Sequence, residues 1–256
     1  MGLKRKINED SLLMAPDFGL YLVADGMGGH KAGDVASRMT AKTIQDYWQK
    51  MTEGNPPPFL EEIDRNISLN AKHLLNSIFL ANRIVYEAQK KPQYHRMGST
   101  LAALLLEDNS VWVANVGDSL IYLFYDDQLR QVSESHSLES EQKNLGMIDP
   151  EEAGNSLFRH ILTRAIGLRE RVDVFITAIE PKPGATILLC SDGLTDYTSE
   201  ENIKTVLDDF TISLERKVDV LIDEAKRGGG GDNITVLLVE ILEQGKWDKF
   251  KKRLKF

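Results

Sequence analysis

The chain carries a single cysteine, Cys190, in 256 residues. No disulfide framework can be built from it, and such sparing use of thiols fits a reducing compartment. Long apolar runs are also missing. Leu101 to Leu106 is among the longest, far short of a membrane span. The amino terminus, Met1 to Lys6, has charge but no apolar stretch behind it, so it does not read as a signal peptide. Basic excess is lacking as well: 31 Lys and Arg stand against 39 Asp and Glu, a net charge of −8. Phosphate backbones select basic surfaces, so nucleic acid is not an expected partner. The histidines His30, His73, His95, His136 and His160 lack zinc-binding spacing. Internal repeats and low-complexity tracts are absent. These absences leave a cytoplasmic protein as the expectation.

What is present is ordinary globular composition, with 42% apolar and 27% charged residues. A chain of this size buries roughly three quarters of its unfolded surface and needs no covalent staple. The charge is unevenly spread. Residues 246–256 hold six Lys or Arg and one Asp, a local balance of +5, which leaves −13 on the rest.

Periodicity predicts helices and strands in alternating blocks. Asn55-Pro56-Pro57-Pro58 separates two helical patterns. The first follows Asp34 as N-cap, with Val35, Met39, Thr43 and Tyr47 as its stripe. The second runs from about Ile63 to Tyr86, through Ile67, Ala71, Leu74, Leu75, Ile78 and Val85. Thr198-Ser199-Glu200-Glu201 reads as a capping box. A further helix carries Leu214, Val218, Leu221, Ile222 and Ala225 and stops at the glycines from Gly228. Short runs at 20–24, 100–106, 111–116, 120–125, 186–190 and 234–240 read as strands. The tight turn Val116-Gly117-Asp118-Ser119 predicts antiparallel pairing of its flanking strands. Layered sheets with outer helices follow, rather than a doubly wound parallel sheet. Residues 131–167 are polar and weakly periodic. They read as an irregular or short-helix insertion over the sheets, either a lid or recognition flap or a long surface connection.

Acids recur where the apolar runs end. Asp25-Gly26, Gly117-Asp118, Asp192-Gly193 and Asp232-Asn233 each adjoin a strand, and Asn8-Glu9-Asp10 precedes another apolar stretch. One Asp-Gly pair indicates only a turn. Five acidic strand ends are a different matter, because clustered carboxylates repel unless a cation compensates them. Hard divalent cations take oxygen ligands. The pattern implies a carboxylate metal site suited to phosphate chemistry.

The ordered set of motifs resembles a known family. Arg5-Lys6-Ile7-Asn8-Glu9-Asp10 and Asp25-Gly26-Met27-Gly28-Gly29-His30 are similar to the first two motifs of the metal-dependent serine/threonine protein phosphatases, type 2C or PPM, in their bacterial form. Gly98-Ser99-Thr100, Asn115 to Ser119, Leu162 to Gly167, Leu189 to Leu194 and Gly231 to Thr235 follow in family order. The resemblance covers about residues 2–240. It implies an α+β fold, an α-β-β-α four-layer sandwich of two antiparallel sheets flanked by helices. It implies a catalytic domain at 1–241 with a flap at about 131–167, followed by a basic C-terminal extension at 242–256.

The resemblance also implies a two-metal centre for Mn2+ or Mg2+, with a third, weaker site. Asp25 would bridge both ions, with the Gly26 carbonyl on one of them. Asp192 and Asp232 would complete the other. Glu9 acts on the Gly26 side with Asp10 in support, Asp118 joins Asp192 at the third site, and Asn233 is supporting. Arg5 would hold the substrate phosphate, because a guanidinium fork matches its oxygens. The catalytic set is thus Arg5, Asp25 and Asp192. The implied reaction is hydrolysis of phosphoserine and phosphothreonine by a hydroxide shared between two ions about 3.5–4 Å apart. No covalent intermediate is needed, so Cys190 is expected to be a buried, inert thiol. Met27 stands where eukaryotic members have a histidine proposed as general acid, and it can donate no proton. His30 reads as a loop-ordering hydrogen bonder. Ser135-His136-Ser137 replaces the usual Asp-His-Ser of the flap.

Expected partners are phosphorylated proteins, a serine/threonine kinase among them, with the chain acting as a monomer. The alternative is a catalytically inactive family member that binds partners, and a third reading is a small-molecule phosphoesterase. Retention of Glu9, Asp25, Asp192 and Asp232 favours the enzyme. The tail, with Trp247, Phe250, Leu254 and Phe256 among its lysines, reads as a solvated terminal helix. The other reading is an amphipathic helix on an acidic or membrane surface.

Overall fold

Apolar runs too short for helices become strands, and the longer 3.6-periodic stretches become helices. The structure, a computed structural model, describes residues 1–28, 32–63, 66–107, 110–148, 158, 160–180 and 182–242. The elements in chain order begin with β1 (Asp10–Ala15), β2 (Leu20–Met27), α1 (Ala32–Thr52) and α2 (Leu69–Ala88). Strands β3 (Gly98–Ser99), β4 (Leu101–Leu106), β5 (Val111–Val116), β6 (Leu120–Tyr125) and β7 (Gln128–Gln131) follow. Then come α3 (Leu138–Asn144), β8 (Phe175–Ile179), β9 (Thr186–Cys190), α4 (Asp192–Thr195), α5 (Glu200–Asp208), α6 (Leu214–Arg227) and β10 (Val236–Glu240).

Two sheets form, ordered β1-β2-β4-β5-β8 with β3 on β2, and β10-β9-β6-β7. Every ladder is antiparallel. Three apolar layers separate four structural ones. Leu101, Ala103 and Leu105 of β4 pack with Ile44, Tyr47, Leu74 and Ile78 of α1 and α2. Ala102 and Leu104 turn the other way, onto Ile121, Ile187, Leu189 and Leu237 of the second sheet. That sheet's outer residues, Tyr122, Leu188 and Cys190, meet Ile203, Leu207 and Leu221 of α5 and α6. Strands buried on both faces lose polar alternation, which is why β4 reads as a continuous apolar run. The architecture is an α+β sandwich of helices, sheet, sheet and helices.

Several boundaries differ from expectation. Asp34 is not an N-cap. It lies inside the first turn of α1, and its carboxylate takes Arg38 at 2.6 Å. The buried stripe of α1 is Ala36, Thr40, Ile44, Tyr47 and Trp48, with Val35 and Met39 at its edge. Helix α2 starts later than expected, because Ser68 caps it by accepting from the Ala71 N–H at 3.1 Å. Ile63 and Ile67 pack on the core outside the helix. At α5 the cap is Ser199, bound to Asn202 N–H, one residue beyond the expected box.

The turn Val116–Ser119 does not join a hairpin. Strand β5 pairs with β4 and β8, whereas β6 pairs with β7 and β9, so the turn carries the chain from one sheet to the other. Gly117 makes the passage at φ 99°, where a Cβ would lie 2.8 Å from the Thr100 side chain. Strands β7 and β8 were not anticipated. Polar, mostly exposed β7 closes an edge, and β8 returns from the irregular 131–174 region. The tail beyond residue 242 lies outside the described residues, so its expected helix does too. Among the described residues, no helix is long and apolar enough to cross a membrane.

Candidate metal centre

Antiparallel pairing of β1 and β2 sets Asp10 directly opposite Asp25. Asp192 opens α4 two residues after β9 ends, and Asp118 sits in the turn between the sheets. Asp232 lies in the loop before β10. The Asp25 carboxyl is within hydrogen-bonding reach of both Asp10 and Asp192. Burial pushes Asp25 and Asp192 well above the usual carboxylate range, and charge on Asp118 and Asp232 pushes the same way. Asp10 is also raised, first by burial. It is only 7% exposed, and hydrogen bonds from Thr235 and Ser191 partly offset the desolvation. Glu9 is raised by burial too, against the pull of Arg5.

Rigid donors fix two of these acids. Asp10 Oδ2 accepts from Thr235 Oγ1 at 2.6 Å and Ser191 Oγ at 2.9 Å. The Asp25 N–H donates to Thr100 Oγ1 at 3.0 Å, and the Thr100 N–H returns to the Asp25 carbonyl at 2.8 Å. Three carboxylate oxygens nevertheless remain buried with no donor: Glu9 Oε1, Asp10 Oδ1 and Asp192 Oδ1. Buried carboxylates without partners are strongly unfavourable, and a hard divalent cation removes the penalty. An all-oxygen set of this kind suits hard divalent cations such as Mg2+ or Mn2+.

Glycines admit close backbone approach here. A Cβ on Gly26 would lie 2.0 Å from the Gly33 carbonyl oxygen. One on Gly193 would lie 1.8 Å from that of Asn233. Asn233 is 2% exposed and ties the Asp232 loop to the Ile7–Glu9 segment. Its Oδ1 accepts from Glu9 N–H at 2.8 Å, and its Nδ2 donates to the Ile7 carbonyl at 3.1 Å. Arg5 reaches Asp232 at 2.6 Å and Glu9 at 3.8 Å, with about half its side chain exposed (49%). Cys190 is fully buried, and burial pushes its thiol up to about 12, so it offers no thiolate. Met27 ends β2 and pairs with Gly98. His30 lies outside the described residues.

Some participants were not singled out in advance. Ser191, Thr235 and Thr100 stand inside the quoted motifs, but nothing in their types marks Ser191 and Thr235 as donors to Asp10 or the Thr100 hydroxyl as acceptor for the Asp25 N–H. His136 anchors the 131–167 region. Its Nδ1 accepts from Gly117 N–H at 3.1 Å, and its own N–H reaches the Gly117 carbonyl at 2.9 Å. Burial, then Arg164, lowers its pKa to about 4, so the ring is neutral at ordinary pH. His160 lies beside Asp192 and Asp196, with one ligand atom from each within 4.8 Å of the others. Its Nδ1 is 3.4 Å from Asp196.

Comparison with known proteins bears on this geometry. Residues 4–224 match the family model for protein phosphatase 2C. A serine/threonine phosphatase, stp, of Listeria innocua is 38% identical over 229 residues, covering 89% of this chain and 87% of that protein. The crystal structure of the Mycobacterium tuberculosis serine/threonine phosphatase PstP/Ppp superimposes with a TM-score of 0.81 at 32% identity, covering 94% of this chain and 95% of that one. A structure of the PstP catalytic domain in complex with two manganese ions matches with a TM-score of 0.76 at 32% identity, covering 94% and 95%.

Proposed function

The chain belongs to the protein phosphatase 2C family and is a metal-dependent protein phosphatase, and from that premise we propose that it hydrolyses phosphoserine and phosphothreonine in proteins using Mn2+ or Mg2+. Three orphaned carboxylate oxygens in one buried cluster, on Glu9, Asp10 and Asp192, carry this reading. Asp25, Glu9, the Gly26 carbonyl, Asp192 and Asp232 would hold two ions, with Asp10 in support, and Asp118 with Asp192 would serve a third. Bound there, the ions supply an activated water and neutralise charge at phosphorus.

The protein's own groups do the rest. Arg5 receives the substrate phosphate. Its fork is already aimed at the cluster by Asp232 and Glu9, and the exposed half of the side chain is open to phosphate oxygens. Asn233 holds the Arg5–Asp10 segment against the Asp232 loop, which keeps that fork in register. Ser191 and Thr235 hold Asp10 in one rotamer beside Asp25. Met27 can donate no proton, so water or another group protonates the leaving oxygen, or it departs as the alkoxide. We take residues 1–241 as the catalytic unit, acting as a monomer on phosphorylated proteins that include a serine/threonine kinase. A cytoplasmic setting accords with the lone, buried Cys190.

The test is hydrolysis of p-nitrophenyl phosphate and a phosphothreonine peptide with Mn2+, with and without chelator, on the wild type and Asp192→Asn. Both chelation and substitution are expected to lower turnover at least about a hundredfold. No turnover with Mn2+, or turnover that survives both changes, would sink the reading.

A further inference from the structure

Beside the carboxylate cluster opens a cleft of about 620 Å3 that shares Asp118 and Asp192 with it. The flap side of the cleft supplies Glu134 and Glu139, and the second sheet and its helices supply Asp196, Thr198 and Glu200. Among the described lining residues Lys143 is the lysine, and His160 stands beside Asp196. If Asp118 and Asp192 are engaged by cations, Glu134, Glu139, Asp196 and Glu200 still outnumber these basic groups among the described residues, so acids dominate the wall away from the metal end.

Two of those acids are held in place. The Glu134 backbone is clamped by Asn115, whose Nδ2 donates to the Glu134 carbonyl at 2.5 Å and whose Oδ1 accepts its N–H at 3.1 Å. Glu200 accepts from the Tyr122 hydroxyl at 3.2 Å. An independent feature points to a ligand. Thr198 is 6% exposed and lines the cleft, yet its hydroxyl has no hydrogen-bond partner. A buried hydroxyl left unsatisfied is unfavourable until something polar reaches it.

We propose that this cleft receives the polypeptide flanking the phosphorylated residue and selects segments with Lys or Arg beside it. The inference rests on the phosphatase reading above. A phosphate alone would be repelled by the wall, so it is the flanking residues that meet Glu134, Glu139 and Glu200, while Arg5 and the ions take the phosphate. A peptide backbone group or side chain satisfies Thr198. Fixed charges act at little ordering cost, so they discriminate between partners more than they add affinity.

The experiment uses the full chain with Mn2+ and three substrates. Two are phosphothreonine peptides of equal length, flanked by Lys/Arg or by Glu, and the third is p-nitrophenyl phosphate. The basic peptide is expected to exceed the acidic one in kcat/KM by roughly tenfold or more, a ratio that shrinks as salt rises. Glu134→Gln with Glu200→Gln should bring the two peptides within about threefold while p-nitrophenyl phosphate turnover is unchanged. Thr198→Val should lower both peptides' kcat/KM and spare p-nitrophenyl phosphate, which also reports that each variant is folded. Equal peptides, or a ratio untouched in the double variant, would overturn the proposal. Failure of p-nitrophenyl phosphate hydrolysis in the wild type would instead overturn the phosphatase reading, and this one with it.

Discussion

Replacing Asn233 with Ala tests the claim that one side chain ties the start of the chain to the loop before the last strand. The substitution removes two hydrogen bonds, from Glu9 N–H at 2.8 Å and to the Ile7 carbonyl at 3.1 Å. Each is worth about 1 kcal/mol net. Ile7 is exposed, so its carbonyl recovers a bond to water. The Glu9 N–H is partly buried and does not recover fully, which adds about 1 kcal/mol. The expected loss is about 2–3 kcal/mol, read as a lower urea midpoint with an unchanged slope. A second consequence separates this from generic destabilisation. With Glu9 and Arg5 released, stabilisation by saturating Mn2+ should shrink. At temperatures where the variant is folded, kcat/KM should fall at least about tenfold, equal to about 1.4 kcal/mol of transition-state stabilisation. A variant within about 0.5 kcal/mol of wild type, with the full Mn2+ increment and unimpaired kcat/KM, would refute the reasoning.

Other outcomes follow from the same geometry. In chelator, the raised Asp10, Asp25 and Asp192 hold protons in the fold that the unfolded chain has already lost. Their contribution is complete below about pH 4 and is lost as pH rises through the raised values, so urea midpoints in EDTA should fall from pH 5 to 8. Asp192→Asn should flatten that fall, and comparing the two proteins cancels the opposite-signed effect of His136. His136, with its pKa lowered to about 4, should show no imidazole titration by NMR above about pH 5; a midpoint near 6.5 would contradict its burial. Gly193→Ala should cost about 2–3 kcal/mol, because its Cβ would collide with backbone. Gly184→Ala, in open space at φ 83°, should cost only about 1 kcal/mol, so equal losses in a thermal melt would contradict the close approach.

Much of this architecture can be read from residue patterns, and the parts that cannot have physical reasons. Strands buried on both faces announce themselves as apolar runs, as 101–106 and 186–190 do. The acids at their ends were legible because Asp beside Gly at four strand ends, with Glu9-Asp10 before a fifth, is improbable as mere punctuation. The passage of Val116–Ser119 between sheets was not legible, since a tight turn looks the same whether its flanks pair or part. Strand β7 was hidden because an exposed edge strand needs no apolar residues. The hydroxyls of Thr100, Ser191 and Thr235 were hidden because any Ser or Thr looks alike until long-range pairing brings Ser191 and Thr235 to the Asp10 carboxylate and Thr100 to the Asp25 N–H. Helix starts shifted by a few residues because the cap that wins is set by geometry as well as by side-chain type.

The contact between Thr235 and Asp10 spans 225 residues of chain, and this sets a clock on the newly made protein. At roughly 5–20 residues per second, about 10–45 seconds pass between synthesis of the two partners. Throughout that interval the first acids exist as an unfinished half of the centre. A chain cut short before Thr235 therefore lacks a donor that holds Asp10, whatever portion of the sandwich it has managed to fold. The centre is finished only after the segment carrying Asp232 and Thr235 has been made.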